Sequence, residues 1–414
     1  MNARQTPSGS WHPLKLIPGL CAGFLWGACL LPTALYGLGF AIPNQDAEAI
    51  ARGNAFIATA NNPSAIFYNP AGITQLEGTQ AQFGMHNLAI NSEFQSLDGT
   101  RHANTESSIA PVPQFFYTYS PTNSQFSFGV GLYAPFGLSL EWPTNTPFNS
   151  LATKGSLTYI TFNPVVAWKI LPNLSIAAGP TINYAKLDLT QGIGLSPGDQ
   201  FSFNGSGWTF GATAGLLWKP HAKWAVGVNY RSPTTVNFEG SSQMKPYAPG
   251  EGTSAEFNFP QSAGLGVAYK PTPHWNFETY VIWTDWDTLK STTFERPSGN
   301  ISLALNWQSS LMTGIGGTRY FDNGWFVSAG YFFSQNSTSE KNFNPVVPDT
   351  DLHVGSAGFG CKGKHWSCAL SAQIIAGAWR TISDSQPSPI TGETADGKYK
   401  WFNQSVNFSV GYHF

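Results

Sequence analysis

Charge is what this chain has least of. Only 11% of its 414 residues are charged, 21 Lys and Arg against 23 Asp and Glu, where a soluble chain of this size carries about 25%. The deficit implies a surface that water does not touch. A net charge of −2 gives no electrostatic reason for a nucleic-acid partner, and no basic patch is interleaved with aromatics. Long apolar runs are missing too. Nothing after residue 40 approaches the roughly 18 uninterrupted apolar residues of a membrane helix, and mean hydropathy is −0.15. Spanning helices are therefore excluded beyond that point. The remaining way to cross a bilayer with every backbone group paired is a closed barrel, whose alternating strands look only weakly hydrophobic. No spacing of Ser, His and acid singles out a catalytic set. Gly314, Gly316 and Gly317 fall within alternating strands, so they do not form a phosphate loop. An enzyme is not expected, and no metal, nucleotide or redox cofactor is implied.

Cysteine is scarce, at four. Cys21 and Cys29 lie in a leading segment with Arg4 and Lys15, an apolar stretch over 16–31, Pro32 and a small-residue tract over 34–39. This is the pattern of a secretory signal with its cleavage zone, and residues 1–37 are assigned to it. The remaining pair, Cys361 and Cys368, suits an oxidising compartment. A two-residue turn at Lys364 and His365 sets them opposite each other across a hairpin, about 4.5 to 5.5 Å apart at Cβ, which predicts a disulfide. His365 alone does not complete a tetrahedral metal set.

What the chain has in quantity is aromatics, 14%, and 43 Gly, arranged with period two. In the last strand Val406, Phe408, Val410, Tyr412 and Phe414 share one face, and Ser405, Asn407, Ser409, Gly411 and His413 the other. The same alternation runs through Phe126 to Tyr133, Trp208 to Trp218 and Trp224 to Arg231. Apolar against small or polar is what a wall between lipid and a wet or filled lumen requires. The terminal Phe behind alternating aromatics resembles the signal by which barrel-assembly machinery recognises its clients. Short turns near 121–124, 171–173, 220–223, 271–274, 322–324 and 363–366 alternate with polar stretches at 91–107, 139–156, 190–206, 240–256, 291–304, 337–350 and 381–399. They count out to an all-β, transmembrane antiparallel barrel of about fourteen strands over 79–414. Its short turns and both ends face the periplasm. Residues 38–78 break the alternation, with a helix expected over 46–60. A barrel this wide is not filled by its own side chains, so this segment is the expected plug.

Within that segment Arg52-Gly53-Asn54-Ala55-Phe56 and the run from Asn62 to Gly72, with Asn69-Pro70-Ala71 at its end, resemble the N-terminal hatch of the FadL family of outer-membrane transporters. The resemblance continues through Ala134 to Leu138, Gly207 to Trp218, Tyr230-Arg231-Ser232, Trp283 to Trp286 and Pro348-Asp349. It implies uptake of long-chain fatty acids or other hydrophobic compounds across an outer leaflet that lipopolysaccharide makes a poor solvent for them. Ligand would enter among the outer loops, occupy an apolar pocket and leave sideways into the bilayer through a gap at a kink of the third strand, mapping onto Ala134, Pro135, Phe136 and Gly137. Proline within a sheet marks an edge or bulge, although the strand could simply end before Pro135. Phe40, Ala41 and Ile42 occupy the place of the residues that contact the inner pocket and trigger hatch movement; Phe40 and Ile42 are assigned to that pocket. A carboxylate ligand would want a basic partner. Lys186 is the candidate, with an interfacial lysine as the alternative. Trp307 and Gln308 stand where a cation is absent, which leaves neutral hydrocarbons open. The expected assembly is a monomer in outer-membrane lipid, and the competing classes are a general porin, an adhesin and an outer-membrane lipase.

Overall fold

A computed structural model describes residues 39–414 except Pro197; the expected signal peptide, residues 1–37, lies outside the described residues. Fourteen antiparallel strands form a closed barrel. In chain order they are β1 (Gly78–Ile90), β2 (Ser108–Ser120), β3 (Phe126–Glu141), β4 (Lys154–Leu171), β5 (Leu174–Gln191), β6 (Gln200–His221), β7 (Trp224–Arg231 continued by Thr234–Lys245) and β8 (Ala248–Phe259, then Ser262–Thr272). There follow β9 (Trp275–Thr284, then Ser291–Glu295), β10 (Ile301–Ala304, then Ser310–Tyr320), β11 (Trp325–Ser334), β12 (Leu352–Lys362), β13 (Trp366–Gly377) and β14 (Gly397–His413). The ring closes where β1 pairs β14 from Gln80 opposite His413 to Ala89 opposite Gln404. Closure leaves no edge strand to satisfy, the condition for crossing hydrocarbon.

The alternation read from the sequence is the alternation in the wall. On β14, Val406, Phe408 and Val410 face outward while Ser405, Asn407 and Ser409 are buried inside. Trp208 and Phe210 on β6 point outward in the same way, and the Trp208 ring lies 5.1 Å from that of Tyr184 on β5. The six short turns fall where expected. Three polar stretches do not behave as loops, however. Residues 240–256 form a hairpin in which β7 and β8 run on to Lys245 and from Ala248, 291–304 contains a second hairpin, Ser291 opposite Ala304, and 91–107 a third, Glu93 opposite Asn104. Above the bilayer a strand's outer face meets water, so Ser, Asn and Glu stand where lipid would demand apolar groups, and the pattern imitates a loop.

Residues 39–77 lie inside the ring, packed against strands on opposite sides of it. The helix expected over 46–60 is confined to Ala47–Ala51, here α1, capped by the Asp46 side chain. It stops because Gly53 and Asn54 take φ of 64° and 60°, and a left-handed pair ends a right-handed helix. At Gly53 an added Cβ would also stand 2.8 Å from the backbone nitrogen of Tyr331. A second short helix, α2 (Ala65–Tyr68), and a 3₁₀ turn, Pro70–Gln75, follow. Attachments to the wall go most of the way round. Glu278 of β9 accepts from Ala58 N, Thr59 N and Thr59 Oγ1 at 2.9, 2.8 and 2.6 Å. Lys362 at the end of β12 pairs with Glu48 at 2.7 Å, Gln82 of β1 donates to Asp46 at 2.6 Å, and Asn229 of β7 donates to the Tyr68 carbonyl at 2.6 Å. Buried charge is tolerable where it is paired in this manner.

Candidate functional site: a window in the barrel wall

The third strand is where the ladder fails. β3 pairs β4 in one register from Phe126 opposite Trp168 to Tyr133 opposite Thr161, and in a register shifted by one from Phe136 opposite Tyr159 to Glu141 opposite Lys154. Ala134 and Pro135 thus oppose the single residue Ile160, a β-bulge that bends its strand. On its other side β3 pairs β2 only from Tyr119 opposite Phe128 to Phe115 opposite Leu132. Beyond Leu132 the strands part, and they meet again where Glu106 N donates to Glu141 O at 2.9 Å. The kink predicted at Ala134, Pro135, Phe136 and Gly137 is therefore inside the strand, and the strand does not end there. It faces a window whose other margin is the upper half of β2.

That margin carries a signal missed in the sequence. Pro111 and Pro113 sit two apart in β2, in the part with β1 on one side and no partner on the other. Proline removes a ladder donor and is confined to edges and bulges. Two of them in one strand, with Pro135 in the next, mark a local edge in the wall.

The unpaired edge of β3 is taken up from inside. Ile42 N donates to Pro135 O at 2.8 Å, Gly137 N donates to Phe40 O at 2.9 Å, and Ala41 bridges Phe136. Gln45 Nε2 adds bonds to Ala134 O at 2.7 Å and Ile42 O at 2.9 Å. Three residues of the lumenal segment thereby act as the strand that β2 does not supply. The fit is close: a Cβ on Gly137 would lie 2.8 Å from Ile42 Cδ1. Phe40 is held by edge-on rings, Trp286 at 4.7 Å, Phe259 at 5.7 Å and Phe136 at 6.0 Å, with Trp307 tilted at 5.3 Å. Its neighbour Gly39 donates to Asp349 Oδ2 at 3.4 Å. Burial pushes the Asp349 carboxyl above its ordinary range, opposed by the Ser337 amide and hydroxyl, which both donate to it.

A cavity of about 580 Å³ occupies the window, within the 300 to 1,000 Å³ of small-molecule sites. Its wall joins inward residues such as Ile42, Val112, Phe136 and Val354 to outward ones such as Ile109 and Ile160, so it passes from lumen to outer face. Among the described residues, no Lys, Arg, Asp or Glu lines it. A smaller cavity of about 80 Å³ lies beyond Ala41, Ile42, Pro43 and Phe136, which line both. Arg231 lines the smaller one, an inward cation that sequence reasoning quoted without assigning it a role. Its parity in β7, with Val228 and Tyr230 turned to lipid, is the signal that finds it.

The remaining predicted residues separate. Phe40 and Ile42 border the window cavity. Lys186 does not: Ala185 and Leu187 are the buried, inward residues of β5, and Lys186 is turned outside, 3.5 Å from Asp188. Asn69 accepts from Ala71 N at 3.2 Å and donates to Ile57 O at 2.8 Å and Leu216 O at 2.9 Å, tying the lumenal segment to itself and to β6. Pro70 begins the 3₁₀ turn, where its lack of an N–H costs nothing. Ala71 is buried. Cys361 and Cys368 stand opposite each other as expected, but as free thiols with sulfurs 3.2 Å apart.

Comparison with known proteins matches this geometry. Residues 30–372 fit the family model of the outer membrane protein transport protein (OMPP1/FadL/TodX). Among curated relatives, the long-chain fatty acid transport protein of Salmonella typhi is 22% identical over 370 residues, covering 80% of this chain and 85% of the relative. Outer membrane protein P1 of Haemophilus influenzae is 21% identical, covering 71% and 76%. Of solved structures, a Pseudomonas aeruginosa FadL homologue superposes with a TM-score of 0.82 at 18% identity, over 91% of this chain and 99% of that one. The Pseudomonas putida toluene transporter TodX does so with 0.70 at 17%, over 92% and 99%. At such identities these two show the fold alone. With the family model spanning most of its length, the chain belongs to the OMPP1/FadL/TodX family of outer-membrane transport proteins.

Proposed function

We propose that this barrel carries hydrophobic small molecules, long-chain fatty acids first among them, passively across the outer membrane and releases them sideways into the bilayer. The observation that carries the reading is the apolar cavity running from the lumen to the outer face between β2 and β3, with Phe40 to Ile42 lying along its inner side. A solute insoluble in water gains on the order of 25 cal/mol for each Å² it buries there, and reaches lipid without crossing the wet ends of the barrel. Residues 39–77 act as the hatch that stops the bore, Asn69 to Ala71 being its anchor on β6. Displacement of Phe40 to Ile42 from the β3 edge opens the way. The chain acts as a channel and catalyses nothing; it works as a monomer in outer-membrane lipid and lipopolysaccharide after insertion by the barrel-assembly machinery. Uptake of a radiolabelled fatty acid and of a sugar by a transporter-deficient host tests this: the fatty acid should enter far faster, and equal rates would overturn the reading in favour of a general porin. A second reading, neutral hydrocarbons by the same route, is favoured by a window cavity that no Lys, Arg, Asp or Glu among the described residues lines.

A further inference from the structure

The outside of the wall changes character toward the end that carries the long loops, the end that faces away from the cell in such barrels. On β5 and β6 the outward pairs run from Ile182 opposite Phe210 to Tyr184 opposite Trp208, then Lys186 opposite Ser206, Asp188 opposite Asn204 and Thr190 opposite Ser202. Apolar gives way to aromatic, and aromatic to polar. An aromatic girdle marks the rim of the hydrocarbon band, so the residues beyond Trp208 stand at head-group level and above. Trp208 and Phe210 are 65% and 72% exposed, so most of each ring is open to acyl chains.

Two polar rungs cross this region from strand to strand. Ser139 of β3, Ser156 of β4, Asp188, Asn204 and Ser241 of β7 stand opposite one another in turn. So do Thr158 of β4, Lys186, Ser206, Glu239 of β7 and Ser254 of β8. A rung of opposed residues presents its side chains on one face; Ala185, Leu187, Val236 and Phe238, at the alternate positions, are buried on the other. With strands about 4.8 Å apart, five of them make a shelf about 19 Å wide. A groove of about 390 Å³ lies along it, and its lining, Phe203 apart, is polar or glycine.

The charges on this shelf are matched from within. Lys154 pairs with Glu141 at 2.5 Å and Lys186 with Asp188 at 3.5 Å, and Asn204 donates to Asp188. What it offers a visitor is therefore a field of neutral hydroxyls and amides, each both donor and acceptor, and that suits sugar hydroxyls better than a lone phosphate. Its width fits several linked sugar rings and exceeds one glycerophosphate. Polar shelf above aromatic rings above apolar wall is also the order of groups along a glycolipid standing in the outer leaflet.

We propose that the outer wall from β3 to β8 is a docking site for lipopolysaccharide, with the sugar head on the two rungs and acyl chains against Trp208 and Phe210. The groove shares Ser156 with the window cavity, so the docked lipid stands beside the opening and forms part of the acyl surface that a departing solute meets. The assignment rests on the outer-membrane placement and not on what is transported. Native mass spectrometry of the full protein in neutral detergent tests it, by titration with deep-rough lipopolysaccharide, with the delipidated oligosaccharide or with phosphatidylglycerol. Lipopolysaccharide should bind at least about tenfold more tightly than either, since one lacks the chains and the other the sugars. Oligosaccharide binding as tightly as the intact glycolipid overturns the proposal in favour of a glycan receptor. Phosphatidylglycerol binding as tightly overturns it too, by reducing the shelf to ordinary lipid contact. Neither outcome needs a variant to fold. Asn204→Leu with Ser206→Val and Ser241→Val turns the centre of the shelf apolar on its outward side, and should weaken lipopolysaccharide binding at least about tenfold with the folded band on a gel unchanged. Undiminished binding in that variant removes the site, and leaves fatty-acid uptake, measured separately, to judge the transport reading.

Discussion

One carboxamide, that of Asn69, joins three pieces of chain: its own 3₁₀ turn, the Ile57 carbonyl within the lumenal segment and the Leu216 carbonyl on the wall. Gly215 is bare because of it, since a Cβ there would stand 2.3 Å from Asn69 Oδ1. Asn69→Ala orphans both carbonyls, at about 1–3 kcal/mol for each buried acceptor left unpaired. The barrel should still form while its lumenal segment loosens, read as faster amide exchange over 56–72 with unchanged migration of the folded band on a gel. The motif is legible only through its resemblance to the family's hatch, since Asn-Pro-Ala alone reads as an ordinary turn. Lys186 carries two readings for the converse reason: a lysine interrupting an apolar face looks the same whether it points to lipid headgroups or to a ligand, and the parity of Ala185 and Leu187 favours the interfacial one. The cysteine pair belongs at this scale too. Directly opposed across a short turn, Cys361 and Cys368 should be oxidised in protein extracted from cells; intact-mass measurement after alkylation without reductant should find no alkylated thiol.

At the scale of elements, the lumenal segment divides into a fixed part and a poised one. Residues 44–75 are bonded to β1, β6, β7, β9 and β12, whereas Phe40 to Ile42 are held by two backbone hydrogen bonds to β3 and by ring packing. Local opening follows the region with the fewest such bonds. Ile42→Pro deletes the N–H that meets Pro135 O and should release this short stretch without disturbing the rest. The expected result is protease accessibility confined to the residues before Asn44, with uptake altered and the barrel intact. Glu278→Gln is the contrasting change. It weakens the three bonds that hold Ala58 and Thr59, each worth about 1.5–3 kcal/mol when the acceptor is charged, and should lower the melting temperature more than Ile42→Pro does. The outer hairpins of β7 to β10 show why part of this scale was illegible. The sequence signal for a strand is contrast between two faces, and a strand standing above the membrane has polar groups on the outside by necessity, so contrast vanishes while pairing does not.

For the whole molecule, a barrel stands in lipid because it closes, and this one leaves a deliberate fault in the closure. Strand number, alternation and turn placement follow from the bilayer and could be counted from residue patterns. The fault could only be half seen, because Pro135 signals a break in its own strand, while the window needs two strands and a third segment lying along it. Pro111, Pro113 and the Ala134–Pro135 bulge together keep β2 and β3 apart. Restoring the missing donors with Pro111→Val and Pro113→Val, while deleting Ala134 and replacing Pro135 by Val, removes the bulge and lets β3 keep one register along β4 and pair β2 to its top. Every newly paired group stabilises the wall, so such a barrel should melt higher than the native one. If solutes leave sideways, its fatty-acid uptake should fall by an order of magnitude or more, even though β2 then competes for the β3 groups that Phe40 and Ile42 now use. If uptake persists in a barrel whose added thermal stability shows that the strands have zipped, the solute takes the axial path past the hatch, and the window serves some other end.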